Sequence, residues 1–338
     1  MNDPRRSVIE KDMEPSLVEL KHLKTYFRIR RGLIRDLIEK KRFVHAVDDV
    51  SFDIRRGETF GLVGESGCGK TTLGRTLIRL VEPTTGEFFF DGHNVFDLGP
   101  EDLRNLRKEF QVIFQDPFAS LNPRKTVYQI VAQPLRTHHI VDSGQMKEKV
   151  LDLLEKVGLQ REHLDRYPHQ FSGGQRQRIG IARALGTNPR FIIADEPLSA
   201  LDVSIQAQIL NLLEKLRDEF HLTYLFISHD LSAVSYFSDR VAVMYLGKFA
   251  ELARAEVIFN SPAHPYSKAL ISAIPSIRSS TDRKRISLTG DVSTPIDPPP
   301  GCRFQNRCFA KKGSMCEESD PLWTEIERDH YVACHLFA

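Results

Sequence analysis

The 338-residue chain lacks any apolar run approaching the roughly 20 residues needed to span a bilayer. Its opening residues, Met1-Asn-Asp-Pro-Arg-Arg-Ser7, are charged and hold no apolar stretch, so no secretory signal is expected. A surplus of either charge sign is missing too. The 47 Lys and Arg against 45 Asp and Glu leave a net charge of +2, which gives no argument for a nucleic-acid partner. No internal repeat is visible. Cysteine is almost absent until the C-terminal region: only Cys68 precedes Cys302, Cys308, Cys316 and Cys334. The expectation is a cytosolic chain that could still dock on a membrane protein. In a reducing compartment such a cysteine cluster more often binds metal than forms disulfides.

What is present starts with Gly64-Glu65-Ser66-Gly67-Cys68-Gly69-Lys70-Thr71-Thr72, which fits the phosphate-binding pattern G-x-x-x-x-G-K-[ST]. The preceding Glu58–Val63 reads as a short buried strand, and Leu73–Leu80 places apolar residues at helical spacing. Glycines at 64, 67 and 69 let the backbone wrap an anion without a Cβ in the way. The exposed amides and the helix start then offer partial positive charge to phosphates. Lys70 is expected to reach the β- and γ-phosphates, and the Thr71 hydroxyl to bind Mg²⁺.

Along the chain, residues 1–15 are polar and expected to fray. Residues 16–23 and 44–54 read as strands. Between them lies the basic stretch Arg28–Arg42, with Leu33, Ile34, Leu37 and Ile38 at helical spacing. That stretch is either an amphipathic helix meeting lipid headgroups or a partner, or a solvated insertion. Residues 86–92 form strand material closed by an Asp-Gly turn, and 109–115 a strand ending in polar Gln115. From 116 to about 174 the pattern is helical, and Pro123, Pro134, Gly144 and Pro168 are expected to break it. Helices are expected at 175–185 and 204–220, and strands at 190–195, 223–228 and 240–245. This alternation argues for a doubly wound α/β core. Residues 278–294 read as a solvated linker, and the four prolines of Pro295–Pro300 as stiff and extended. The expected division is a flexible 1–15, a nucleotide-binding domain over 16–255 with a helical subdomain at 116–175, and a C-terminal extension over 256–338.

An apolar strand ending in Asp195 supplies the second half of a phosphate-loop ATPase site, because an acid there can hold Mg²⁺. Glu196 follows and can orient or deprotonate the attacking water. Phe171-Ser172-Gly173-Gly174-Gln175 opens a second helix whose start suits an anion. One ATP cannot easily use both helix starts. A head-to-tail dimer, in which each of these segments completes the partner's site, is the economical answer.

In this order the motifs resemble the nucleotide-binding subunits of ABC transporters. The set is Gly64–Thr72, Gln115, Phe171–Gln175, Asp195-Glu196, Ser199–Asp202 and His229, within residues 20–245. The resemblance implies a P-loop ATPase core with an antiparallel β-subdomain and a helical subdomain. It further implies that Phe27 stacks on adenine, with Tyr26 as the alternative register. Gln115 would touch Mg²⁺ and the water and relay to the membrane subunits, Ser199–Asp202 would lie across the dimer, and His229 would hold the γ-phosphate. Phe171 stands where many relatives have Leu, which leaves the anion site intact. A soluble DNA-repair ATPase would carry a long coiled coil between the two anion-binding helix starts, and a P-loop kinase would lack the Ser-Gly-Gly-Gln segment.

Residues 115–123, 264–275, 300–308 and 332–336 further resemble the oligopeptide/dipeptide importer ATPases. Some relatives with this C-terminal block import oligosaccharides or nickel complexes. The implied partners are a second ATPase subunit, more often different than identical, two transmembrane permease subunits and an extracytoplasmic binding protein, with no nucleic acid. The implied location is the cytoplasmic face of the cell (inner) membrane. The cysteines follow C-x5-C-x7-C-x17-C. Four thiolates suit an iron–sulfur cluster or tetrahedral zinc, and the resemblance favours [4Fe–4S]. His335 is a possible substitute ligand, and Cys68 takes no metal role.

Overall fold

The computed structural model describes residues 16–29, 41–274, 285–288, 290 and 294–337. The fraying expected at 1–15, most of the basic stretch 28–42 and most of the 278–294 linker lie outside these residues. Among the described residues the strands are β1 Ser16–Arg28, β2 Phe43–Arg55, β3 Thr59–Val63, β4 Thr85–Phe90, β5 His93–Asn94, β6 Phe110–Ile113, β7 Phe191–Asp195, β8 Thr223–Ile227, β9 Arg240–Tyr245, β10 Lys248–Arg254, β11 Trp323–Glu327 and β12 His330–Ala333. The chain forms two compact units. One takes in Ile54–Thr59 and Asp97–Ser228. The other takes in Val18–Asp53, Phe60–Phe96 and the described residues from His229 onward. No described helix is long and apolar enough to cross a membrane.

In the first unit β6, β7 and β8 pair in parallel, with Phe110 beside Phe191 and Phe191 beside Thr223. Every residue of β7 and β8 is buried, as a strand covered on both faces requires. The helices here include Val127–Thr137, Met146–Lys156, Gly173–Leu185 and Val203–Phe220. Pro134 does not break its helix, contrary to expectation: it lies inside Val127–Thr137. It forfeits the amide that would bond the Ile130 carbonyl, but that loss falls within the final turns. Burial of Val127, Ile130, Val131 and Leu135 holds the helix in place.

In the second unit one sheet runs β2-β1-β4-β5. Its β4–β5 hairpin turns at Asp91 and Gly92, both at positive φ (49° and 79°), which matches the right-handed strand twist. Elsewhere β3 pairs in parallel with β9, and β10, β12 and β11 continue from β9 in antiparallel order. The β11–β12 hairpin falls in the cysteine-bearing segment, where no strand was expected. Pro295–Pro300 was expected to be stiff and extended; instead Asp297 takes a left-handed φ of 41° within it, and the segment joins β2. The His45 amide donates to the Pro295 carbonyl (2.9 Å) and the Asp297 amide to the Phe43 carbonyl (3.0 Å).

A buried carboxylate ties this unit's C-terminal parts together. Glu251 on β10 is 0% exposed. It accepts from the amides of Ala263 (2.7 Å) and His264 (2.9 Å) and pairs with His330 Nε2 at 2.8 Å. Burial alone would raise its pKa; the bonds from His330 and the amides outweigh burial and hold it below the usual value. His264 caps the Pro265–Ser272 helix, its Nδ1 accepting from the Tyr266 amide at 3.0 Å. Burial pushes the His264 pKa down from 6.5 to about 4.

Both groups titrate lower when folded, so each contributes stability that is full above its ordinary pKa and lost as pH falls. For His264 the window runs from 6.5 to about 4, a loss of roughly 3 kcal/mol at most. Thermal unfolding followed from about pH 7 to about pH 5 should show that decline. His264→Asn, which keeps a capping acceptor, should flatten it.

Candidate functional site

Between β3 and the Lys70–Leu77 helix the chain makes a tight loop. Gly64 (φ 153°) and Gly69 (φ 113°) take conformations that favour glycine. A Cβ on Gly64 would stand 2.2 Å from the Met244 carbonyl oxygen, and one on Gly69 2.0 Å from that of Ala46. Gly69 is the N-cap, provides no side-chain cap, and no acid stands in the helix's first turn. The positive end of the helix is therefore left for an external anion. Lys70 is 4% exposed, and its Nζ donates to the carbonyls of Gly64 (2.8 Å) and Glu65 (3.0 Å). Ser66 and Gly67 are exposed at the tip, Thr71 and Thr72 are half-buried, and Cys68 is buried with Sγ 3.8 Å from Lys70 Nζ.

Two adjacent aromatics of this unit differ in what they touch. Tyr26 is engaged: its ring stacks on His45 at 4.1 Å and its hydroxyl donates to Asp48. Phe27, the next residue, is 41% exposed. His229 is exposed and directly precedes Asp230, whose carboxylate caps the Leu231–Phe237 helix through the amides of Ser232 and Ala233.

In the other unit β7 ends at Asp195, which is buried, and the chain turns sharply at Glu196. Glu196 has φ 47°, a left-handed conformation uncommon for a residue with a Cβ, at a cost of about 1–3 kcal/mol. Its amide donates to the Ile227 carbonyl at 2.9 Å. Gln115, just past β6, donates from Nε2 to Glu196 Oε2 at 2.8 Å. Thus two predicted residues 81 positions apart meet. Ser199 Oγ donates to the Glu196 carbonyl at 3.1 Å, so the 199–202 segment starts against the same turn. Asp202 caps the Val203–Phe220 helix, accepting from Ser204 Oγ (2.7 Å) and the Ile205 amide (3.0 Å). Those bonds, with Ser204's first, hold its pKa below the usual value.

The Gly173–Leu185 helix starts two residues earlier than the sequence pattern implied. Ser172 and Gln175 form a reciprocal capping box: Ser172 Oγ accepts from the Gln175 amide (3.3 Å), and Gln175 Oε1 accepts from the Ser172 amide (3.1 Å). Gln175 is thereby occupied with its own helix. Gly174 has a packing reason that the sequence did not reveal. A Cβ there would lie 2.4 Å from Ile205 Cγ2.

Cys302, Cys308, Cys316 and Cys334 line one small cavity, about 10 Å³, beside His335. All four are free thiols. Burial pushes Cys302 up to about 11; the backbone bond at Phe304 opposes this, and the neighbouring thiols add to it. Burial likewise raises Cys308 and Cys334. Four convergent sulfurs are a donor set that fits a soft metal once deprotonated. Among the described residues, no three His, Cys, Asp or Glu are already gathered as a metal-holding group. His335 Nε2 bonds the Ser319 carbonyl at 2.9 Å, which suits a bystander.

Four residues to which the sequence reading gave no site role also meet in the phosphate-loop unit. The Glu65 amide donates to Tyr266 Oη (3.0 Å), and Arg307 Nη1 pairs with Glu65 Oε2 (2.8 Å). Arg303 pairs with Asp48, the acceptor of Tyr26. The available signal was that Tyr266 lies in the 264–275 block and both arginines in the 300–308 block.

Comparison with known proteins gives two family matches. The family described as ABC transporter matches residues 47–199, and the oligopeptide/dipeptide transporter C-terminal region matches 250–316. The oligopeptide transport ATP-binding protein AppF of Bacillus subtilis is 53% identical over 96% of this chain and 98% of its own length. The dipeptide transport ATP-binding protein DppF of Haemophilus influenzae is 49% identical over 92% and 94%. Among solved structures, the dimeric post-hydrolysis state of the ATP-binding cassette MJ0796 bound to ADP and Pi is similar. It has a TM-score of 0.62 and 29% identity, covering 70% of this chain and 98% of that one. The cbiO1 subunit of Clostridium perfringens has a TM-score of 0.63 and 26% identity, over 73% and 92%.

If Gly174 packs as described, Gly174→Ala should destabilise the chain by about 1–3 kcal/mol, because the β-branched Ile205 cannot easily yield. Chemical denaturation should show most of that loss restored in the Gly174→Ala, Ile205→Ala double variant.

Proposed function

The chain belongs to the ATP-binding subunits of ABC transporters, in their oligopeptide/dipeptide branch, and on that premise we propose that its two anion-binding helix starts serve two different ATP molecules in a head-to-tail pair. The subunit is an ATPase that powers peptide import, working with membrane permeases and a substrate-binding protein. It attaches peripherally, at the cytoplasmic face of the cell membrane, and its ATPase partner is a different subunit. Residues 16–255 are the catalytic domain, 116–175 with Gln115 pass closure to the permeases, and 256–338 are the branch-specific extension.

Each residue then has a task. Phe27 stacks on adenine. Gly64–Thr72 wrap the phosphates with backbone amides, and Lys70 turns from its loop carbonyls to the β- and γ-phosphates. His229 holds the γ-phosphate. The partner's Ser-Gly-Gly closes the site, while Ser172–Gln175 of this chain close the partner's, with Asp202 across the dimer. Mg²⁺, when bound, neutralises charge between the β- and γ-phosphates. Thr71, Gln115 and Asp195 are oxygen donors that suit it.

The observation that carries this reading is the Gln115 amide holding the Glu196 carboxylate at 2.8 Å, directly after the buried Asp195. A carboxylate placed by a hydrogen bond and a strained backbone is pre-oriented to take a proton from an attacking water. Positioning and fixed charges account for most of the acceleration in such a reaction. The four cysteines would hold a [4Fe–4S] cluster, with tetrahedral zinc as the alternative. Their shared cavity supports that assignment, and such a group would crosslink the segments that carry them.

Glu196→Gln should leave ATP affinity within about twofold of wild type while lowering turnover by about 100-fold or more. Single-turnover hydrolysis beside equilibrium nucleotide binding reads both, and wild-type turnover would overturn the assignment of the base. Anaerobically purified protein should show visible sulfur-to-iron absorption. Colourless protein with stoichiometric zinc would decide for the other metal.

A further inference from the structure

The C-terminal extension reaches both ends of the nucleotide site through a single turn. Phe304, 2% exposed, anchors that turn against the rings of Tyr245 (5.3 Å), Tyr266 (5.3 Å) and His264 (5.9 Å). Its backbone is held locally, with the Gln305 amide on the Cys302 carbonyl and the Arg307 amide on the Phe304 carbonyl, both at 3.0 Å. Gln305 Nε2 donates to the Pro300 carbonyl, also at 3.0 Å. Two arginines leave this anchored turn in different directions.

Arg303 pairs with Asp48, and the two side chains are only 12% and 10% exposed. The other carboxylate oxygen of Asp48 accepts from the Tyr26 hydroxyl, and the Tyr26 amide donates to Thr84 Oγ1 at 2.9 Å. Tyr26 is thus fixed at ring, hydroxyl and backbone, and Phe27 is the next residue. Arg307, 9% exposed, pairs with Glu65 at 2.8 Å. Glu65 is the second residue of the phosphate loop, and its carboxylate would otherwise lie unneutralised beside a bound polyanion. Tyr245 Oη accepts a second, longer bond from Arg307 Nη1 at 3.4 Å.

We infer that Arg303 and Arg307 are positioning residues for ATP: Arg303 sets the adenine-stacking aromatic through Asp48 and Tyr26, and Arg307 cancels the Glu65 charge at the phosphate loop. This rests on the reading of Phe27 and Gly64–Thr72 as the nucleotide site. The two arms make different demands of a ligand. The Arg303 arm matters only to a ligand carrying a base. The Arg307 arm matters to any ligand carrying the phosphates.

Calorimetric titration of the full-length chain with Mg-ATP and with Mg-tripolyphosphate separates the arms. Arg303→Ala should weaken ATP by about fivefold or more and leave tripolyphosphate unchanged. Arg307→Ala should weaken both ligands by a similar factor, and adding Glu65→Gln to it should restore them. A purely structural role would lower the melting temperature without this selectivity. Arg303→Lys and Arg307→Lys should recover part of the affinity. If an alanine variant fails to fold, Tyr26→Phe carries the first arm, with ATP alone weakened. Glu65→Gln in the otherwise intact chain carries the second, with tripolyphosphate bound more tightly. Wild-type affinities across these variants would overturn the inference. A wild-type chain that binds tripolyphosphate but not ATP, or neither, would overturn the nucleotide-site reading itself.

Discussion

The phosphate loop depends on backbone amides that no side chain may cover, and this requirement shapes much of its unit. Gly64 and Gly69 can turn as they do only because nothing projects from them toward the carbonyls of Met244 and Ala46. Ala46 belongs to β2 and Met244 to β9, so strands from both sheets of the unit supply the walls of the loop. Lys70 completes the arrangement. Its ammonium is nearly buried and rests on loop carbonyls, which offset the cost of keeping that charge out of water. An incoming phosphate offers stronger, charge-assisted partners to the same group.

The parts of this design that were legible in the sequence are those written locally. The loop is a contiguous motif, β7 and β8 are short, mostly apolar runs, and the Asp91-Gly92 turn needs two adjacent residues that tolerate positive φ. What was illegible depends on partners far along the chain. The Gln115–Glu196 bond spans 81 positions; the motif set put both residues at one site, but not the direct bond between them. The β11–β12 hairpin escaped because Trp-Thr-Glu-Ile-Glu is partly exposed throughout, so no apolar run marks it. Pro134 misled because a local rule against helical proline was overridden by burial of its neighbours. The four cysteines line one cavity, yet among the described residues no three His, Cys, Asp or Glu are gathered as a metal-holding group.

Glu196 and Gln175, both motif residues, are held by different local structures. Both were assigned to the nucleotide from the sequence. Gln175 spends its side chain on a capping box, the ordinary solution for a helix start. Glu196 sits in a backbone conformation it would not choose, held by a neighbour's amide and by its own bond to the Ile227 carbonyl. Strain that surrounding structure must maintain is more informative about function than a satisfied cap is.

The same reasoning applies to the acids met by the extension. Burying an ion pair is poor value for stability, since desolvation consumes most of the Coulombic gain. Asp48–Arg303 and Glu65–Arg307 are both largely removed from solvent, although apolar pairs would hold the turn at least as firmly. What a charged, directional pair adds is geometry: it fixes where a carboxylate points and which charge it presents. Glu251 offers the contrast within the same unit. Fully buried and bonded by His330 and two amides, it ties β10 to the segments that carry Ala263, His264 and His330. The unit therefore uses its acids in two ways: Glu251 closes the unit's own structure, and Asp48 and Glu65 take up arginines of the extension.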